Sequence, residues 1–190
     1  MARPEEASTA YESAGTRRKV LRFSVFGLLV LLLLVGASNF FLIGTPIKEA
    51  LASDSRNERY RLVGHYRYYV DRSTLVLDLR RANAAAPADL FRGLFQCAQA
   101  MYEADRTFSW IVLARSRSAV FVMSGEAFYE LGTTYALGEN PVFLIRTLPE
   151  KLHHPDGSRA YGTWSGGLLG VALRQMEDAN AAAALWARGR

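Results

Sequence analysis

"RYRLVGHYRYYVDRSTLVLDLR", residues 59–80, decides the architecture. Tyr60, Leu62, Tyr66, Tyr68 and Val70 fall on one side of an extended chain. Arg59, Arg61, His65 and Arg67 fall on the other. An apolar/polar alternation with period two predicts a half-buried strand. Asp71-Arg72-Ser73 reads as a turn, and "TLVLDLR" then places Leu75, Leu77 and Leu79 on one face. The pair is expected to form a β-hairpin.

Downstream the period changes. In "NAAAPADLFRGLFQCAQAMYEADR" the residues Leu90, Leu94, Cys97 or Ala98, and Met101 form a helical stripe flanked by Phe91, Phe95 and Tyr102. Pro87 suits a first helical turn. "FSWIVLA" and "AVFVMS" flank "RSRS" and predict a second hairpin; "GEAFYELGTTYALG" predicts a second helix with Phe128, Leu131 and Tyr135 on one side. "PVFLIRT" reads as a further extended segment, an edge strand begun by Pro141. "LPEKLHHPDGSRAYGTWSGG" reads as a long irregular loop. The terminal "LLGVALRQMEDANAAAALWARG" aligns Leu169, Leu173, Met176, Ala183 and Trp186 against Arg174, Glu177 and Asp178, with Ser165 as the cap. The expected fold is α+β: a two-layer domain of ββα-ββα type with an extra extended segment and a C-terminal amphipathic helix.

Upstream of the strands, "FSVFGLLVLLLLVGASNFFLI" runs from Phe23 to Ile43 without a charge. At ~1.5 Å per residue this run is about 31 Å long, matching the ~30 Å hydrocarbon core of a bilayer. "VGA" before Ser38 also resembles a signal-peptidase site. The apolar run resumes as "FFLI", however, and the polar segment before it is long, so the residues favour an uncleaved anchor. Arg17, Arg18, Lys19 and Arg22 crowd one flank and only Lys48 lies close on the other, which places the N-terminus in the cytoplasm. Expected boundaries are a disordered segment 1–22, a membrane helix 23–43, a spacer 44–57 and an extracytoplasmic domain 58–190.

Composition narrows the function classes. Half of the residues are apolar and 22% are charged, which is globular. The net charge of +5 is spread over both halves, so no nucleic-acid footprint stands out. Arginine outnumbers lysine twenty to three, pointing to GC-rich coding and a bacterial source. A lone cysteine, Cys97, excludes an internal disulfide and a multi-cysteine metal site, and its place in an apolar stripe makes it a small core residue. "HHPD", residues 153–156, offers imidazoles, but adjacent histidines rarely face one ion and no zinc spacing surrounds them; a polar turn is the simpler reading. Ser124 lacks the flanks of a nucleophile elbow. "GTWSGGLLG" lacks the Lys-Ser/Thr of a phosphate loop, and Trp164 is expected to pin it to the core.

"SGEAFYELGTTYALGENPV", residues 124–142, resembles the glutamate-bearing segment of nucleoside 2-deoxyribosyltransferases. Gly125, Glu130, Gly132, Ala136, Gly138, Pro141 and Val142 carry the resemblance, about a tenth of the chain. It implies that Glu130 is a carboxylate nucleophile. The chain departs from that family by one extra residue between Gly and Glu, one before Pro141, and a hairpin where the family opens with a strand and loop. Read from the residues alone, Glu130 is an exposed helix position and Gly132 a close-packing one.

The sequence therefore implies a single-pass, membrane-anchored, non-catalytic binding or assembly protein of a bacterial inner-membrane envelope complex. Its domain lies in the periplasm or outside the cell, with no cofactor and a protein partner of unspecified identity. The interaction candidates are Arg59, Arg61, His65, Arg67, Tyr69 and Trp164, a basic and aromatic set suited to anionic headgroups or an acidic partner. The alternative is an enzyme, deoxyribosyltransferase-like or hydrolytic, centred on Glu130.

Overall fold

The computed structural model describes residues 25–83 and 85–189, without the side chains of Leu168 and Leu169. The expected N-terminal segment 1–22 lies outside the described residues. The chain divides into two compact units, Met1–Ser38 and Asn39–Arg190. Residues Val25–Ala52 are helical, with a mean hydropathy of 2.5 and only 11% of the apolar window buried. A core helix of a soluble protein would bury most of that surface. This helix is long and apolar enough to cross a membrane, as an anchor or a signal sequence does.

In the second unit the strands are β1 (Tyr60–Arg67), β2 (Asp71–Ala82), β3 (Trp110–Arg115) and β4 (Ser118–Ser124). They form one four-stranded mixed sheet in the order β1-β2-β3-β4. Two antiparallel hairpins, β1–β2 and β3–β4, join through a parallel β2–β3 pairing. A parallel pairing needs a crossover, and helix α2 (Pro87–Glu103) supplies it. It follows helix α1 (Thr45–Ala52) in the chain. Then come α3 (Gly125–Ala136), α4 (Pro141–Thr147) and α5 (Leu168–Arg188). The fold is thus mixed α+β.

The core lies between one sheet face and the helices. Leu75, Leu77 and Leu79 of β2, with Ile111 and Leu113 of β3, meet Leu90, Leu94, Phe95 and Met101 of α2. Cys97 is fully buried in that stripe, and burial pushes its thiol pKa up, leaving it an inert core side chain. Two close approaches depend on glycine. A Cβ at Gly64 in β1 would overlap the Ile47 side chain of α1. One at Gly132 in α3 would lie 2.5 Å from the Ala98 carbonyl oxygen of α2. The residues 44–57 read as a spacer therefore contain core: Ile47 and Asn57 are buried, and so is Ile43 just before them.

Several expectations need correction. β1 ends at Arg67, and the turn comes at Tyr68-Tyr69, not at Asp71–Ser73. Tyr68 and Tyr69 take left-handed φ values of 51° and 64°. The turn bonds are Tyr69 N–H to Tyr66 O and Val70 N–H to Arg67 O. Tyr68 and Val70, expected on the core face, are consequently exposed, Tyr68 by 74%. The cause is tertiary. Asn39, from the end of the apolar helix, donates from Nδ2 to Tyr69 O at 2.6 Å and accepts at Oδ1 from Tyr66 N–H at 2.9 Å. That clamp fixes the turn three residues early.

The segment "PVFLIRT" is helix α4, not an extended strand. Asn140 caps it by accepting from Val142 N–H at 2.9 Å, and Pro141 occupies the first turn, where its missing N–H is not needed. Ser165 does not cap α5, which starts at Leu168 after Gly167 without a side-chain cap. Leu173 is 68% exposed. Ala183 and Trp186 of the expected stripe are buried, and Ala179 and Ala182 join them in place of Leu173. Small residues let the helix backbone come close, and Trp186 Nε1 then donates to Ala114 O of β3 at 2.9 Å. Arg115 ties the same end, donating from Nε to Ala187 O at 2.7 Å and from Nη1 to Leu79 O and Arg80 O.

Candidate binding cleft

The sheet's other face carries the second set of alternating residues. Register places His65 beside Val76, Val76 beside Val112, and Val112 beside Val122. The row continues into the loop, where His153 bridges to Val122 through paired backbone hydrogen bonds of 2.8 Å. Three valines thus form an apolar floor with a histidine at each end. A cleft of about 1020 Å³ opens over it. The loop walls it at residues 153–157, held by Asp156, which accepts from Ser158 N–H at 2.9 Å and Ser158 Oγ at 2.6 Å. The Ser158 hydroxyl, then its backbone N–H, hold the Asp156 carboxyl below the usual carboxylate range.

The two ends of the cleft differ. At one end stand Trp110, Tyr68 and Tyr69, with Arg67 stacked over the Tyr68 ring at 5.0 Å and His65 stacked on Tyr69 at 4.8 Å. At the other end Asp78, fully buried, pairs with Arg80 Nε at 2.9 Å. Its oxygens also accept from the Arg117 backbone N–H at 3.1 and 3.2 Å. Removing Arg80 would leave a buried, underpaired carboxylate, which is costly. The Arg117 side chain is exposed at the rim, so it is the more available cation.

His65, Arg67 and Tyr69, all flagged from the sequence, line this cleft. Arg59 and Arg61 are exposed outside its lining, with Arg61 opposite Arg81 across the hairpin. Trp164 is remote from it. The Trp164 Nε1 donates to Asp178 of α5 at 2.7 Å, under the Arg174 guanidinium at 4.6 Å, so it pins its loop to that helix rather than to the core. Thr74, Val76, Asp78, Trp110, Val112 and Val122 were missed as site residues. Their signal was present: each lies one position out of phase with a core leucine, isoleucine or methionine.

His65 and His153 are four interstrand steps apart, roughly 19 Å at ~4.8 Å per step, too far to share one ion. Among the described residues no cluster of three or more His, Cys, Asp or Glu is arranged to hold a metal. Glu130 sits on α3 with its side chain 64% exposed and paired with Lys151 Nζ at 2.5 Å. The recess beside it measures only about 340 Å³. A carboxylate nucleophile works in a desolvated pocket beside a partner acid; Glu150 lines the same recess, but Glu130 itself is exposed and held by a lysine. Comparison with protein-family models, with curated proteins and with solved structures finds no match to this chain.

Proposed function

We propose that this chain is a single-pass, membrane-anchored binding protein, an accessory or assembly subunit of a bacterial envelope complex. Its N-terminus is cytoplasmic and its α+β domain works outside the inner membrane without catalysis. The observation that carries the reading is the cleft over the free sheet face. Its floor of Val76, Val112 and Val122 suits apolar side chains, and Arg67 and Arg117 at the rim suit acidic groups. Aromatic and arginine residues around an apolar centre are the composition of a protein-binding patch. The partner is thus a protein segment carrying apolar residues interrupted by carboxylates. The apolar helix supports the anchor, and the basic cluster at Arg17, Arg18, Lys19 and Arg22 supports the orientation.

A photo-crosslinking residue at Arg117, in cells with intact membranes, tests this. A discrete protein adduct is expected from position 117 and none from Leu137, an exposed site outside the cleft lining. Equal labelling from both positions, or none from 117 and from a second rim site at 67, would remove the cleft as a partner surface.

A further inference from the structure

The β1–β2 hairpin tip is built from residues that a water-facing tight turn does not favour. Two consecutive left-handed positions call for Asn-Gly, yet Tyr68 and Tyr69 occupy them at φ 51° and 64°. Both rings, the adjoining Val70 and nearby Trp110 are exposed. Arg67 lies over the Tyr68 ring and donates to its hydroxyl at 3.3 Å. Tyrosine, tryptophan and arginine are the side chains enriched where a protein meets the lipid headgroups, since each has an apolar body and a polar end.

What places this tip is Asn39. Both of its side-chain polar atoms hold the hairpin, at Tyr69 O and Tyr66 N–H. Asn39 is the seventeenth residue of the charge-free run that begins at Phe23. At ~1.5 Å per residue that stretch is about 26 Å long, short of the ~30 Å hydrocarbon thickness. The run has therefore only just come to the far edge of the bilayer core when it reaches the residue that grips the turn. Phe40 and Phe41 follow, and both are exposed, with their rings edge-to-face at 5.0 Å.

We infer that the Tyr68-Tyr69-Val70 tip, with Trp110 beside it, is a second membrane contact that seats the domain in the headgroup layer of the bilayer its own helix enters. This rests on the anchor reading above. The aromatic end of the cleft then opens at the membrane surface, and the arginine end faces water.

Depth measurement on the full-length chain tests the inference. Tyr68→Cys is spin-labelled and reconstituted in phosphatidylcholine–phosphatidylglycerol vesicles; Cys97 is fully buried and stays unlabelled. Leu137→Cys, at a site 80% exposed, is the comparison. The label at 68 should collide more with oxygen than with a water-soluble nickel chelate, and the label at 137 should show the reverse. A position-68 label that reads as aqueous, on protein that floats with the vesicles, overturns the docking alone. Protein that fails to float with the vesicles overturns the anchor and the docking together.

Discussion

At the residue scale, the chain holds several side chains in places that only a partner atom explains. Asp54 accepts from Arg56 through its side chain and backbone, and lies 3.1 Å from Arg92 Nε. The Arg56 hydrogen bonds lower its pKa from 3.8 to about 2. A depressed carboxyl contributes stability that is complete above its unfolded pKa and is lost as pH falls through the folded one. Thermal melts of the wild type should therefore fall steeply between about pH 4 and pH 2, and those of Asp54→Asn should fall less. Parallel acid limbs would show that the cluster contributes nothing. The tip tyrosines make a separate case. Replacing Tyr68 by Asn and Tyr69 by Gly removes left-handed strain, so urea unfolding of the double variant should show a gain on the order of 1 kcal/mol. A loss would mean that the stacking of Tyr69 on His65 outweighs the backbone strain.

At the element scale, periodicity carried most of the reading. The stripe Leu90-Leu94-Cys97-Met101 and the leucines of β2 are buried as their spacing requires. Where reading failed, the deciding partner was distant in sequence. Asn39 ends β1 early from 27 residues away. α4 looked extended because a five-residue apolar run with an opening proline fits a strand or a capped helix equally, and only the Asn140 cap decides. Within α5, helical spacing picked Leu173, but packing follows the alanines that let Trp186 reach β3. Trp186→Ala should cost about 3–5 kcal/mol in chemical denaturation, since it opens a cavity and removes the hydrogen bond to the Ala114 carbonyl. Leu173→Ala should stay within about 0.5 kcal/mol. Similar losses for both would put Leu173 in a buried position after all.

At the scale of the whole molecule, the boundary between the apolar helical run and the domain is not where hydropathy changes. Ile43 and Ile47 look like the tail of an apolar run and a spacer, yet each is almost wholly inside the core. Hydropathy cannot separate the two, because lipid and protein interior select the same side chains. The cleft had the same ambiguity. Alternation in β2 marks Thr74, Val76 and Asp78 as opposite to the leucines, but that this face holds a cleft is a property of the assembled fold. A domain fragment starting at Asn39 should outlast one starting at Arg56 by about 3–6 kcal/mol in urea, from the two isoleucines alone. Coincident unfolding curves would show that the α1 contacts are dispensable.

The bond from Trp186 to Ala114 joins positions 72 residues apart. During vectorial synthesis at ~5–20 residues per second, roughly 4–14 s separate the emergence of β3 from that of the side chain that seals it. Through that interval the Pro87–Glu103 helix already covers the β2 leucines, but the end of the sheet at Ala114 on which α5 packs has no lid, and that end is where a holdase chaperone would bind. Its folding is thus timed by translation, and slowing the ribosome over the α5 codons should lengthen chaperone occupancy without altering the finished fold.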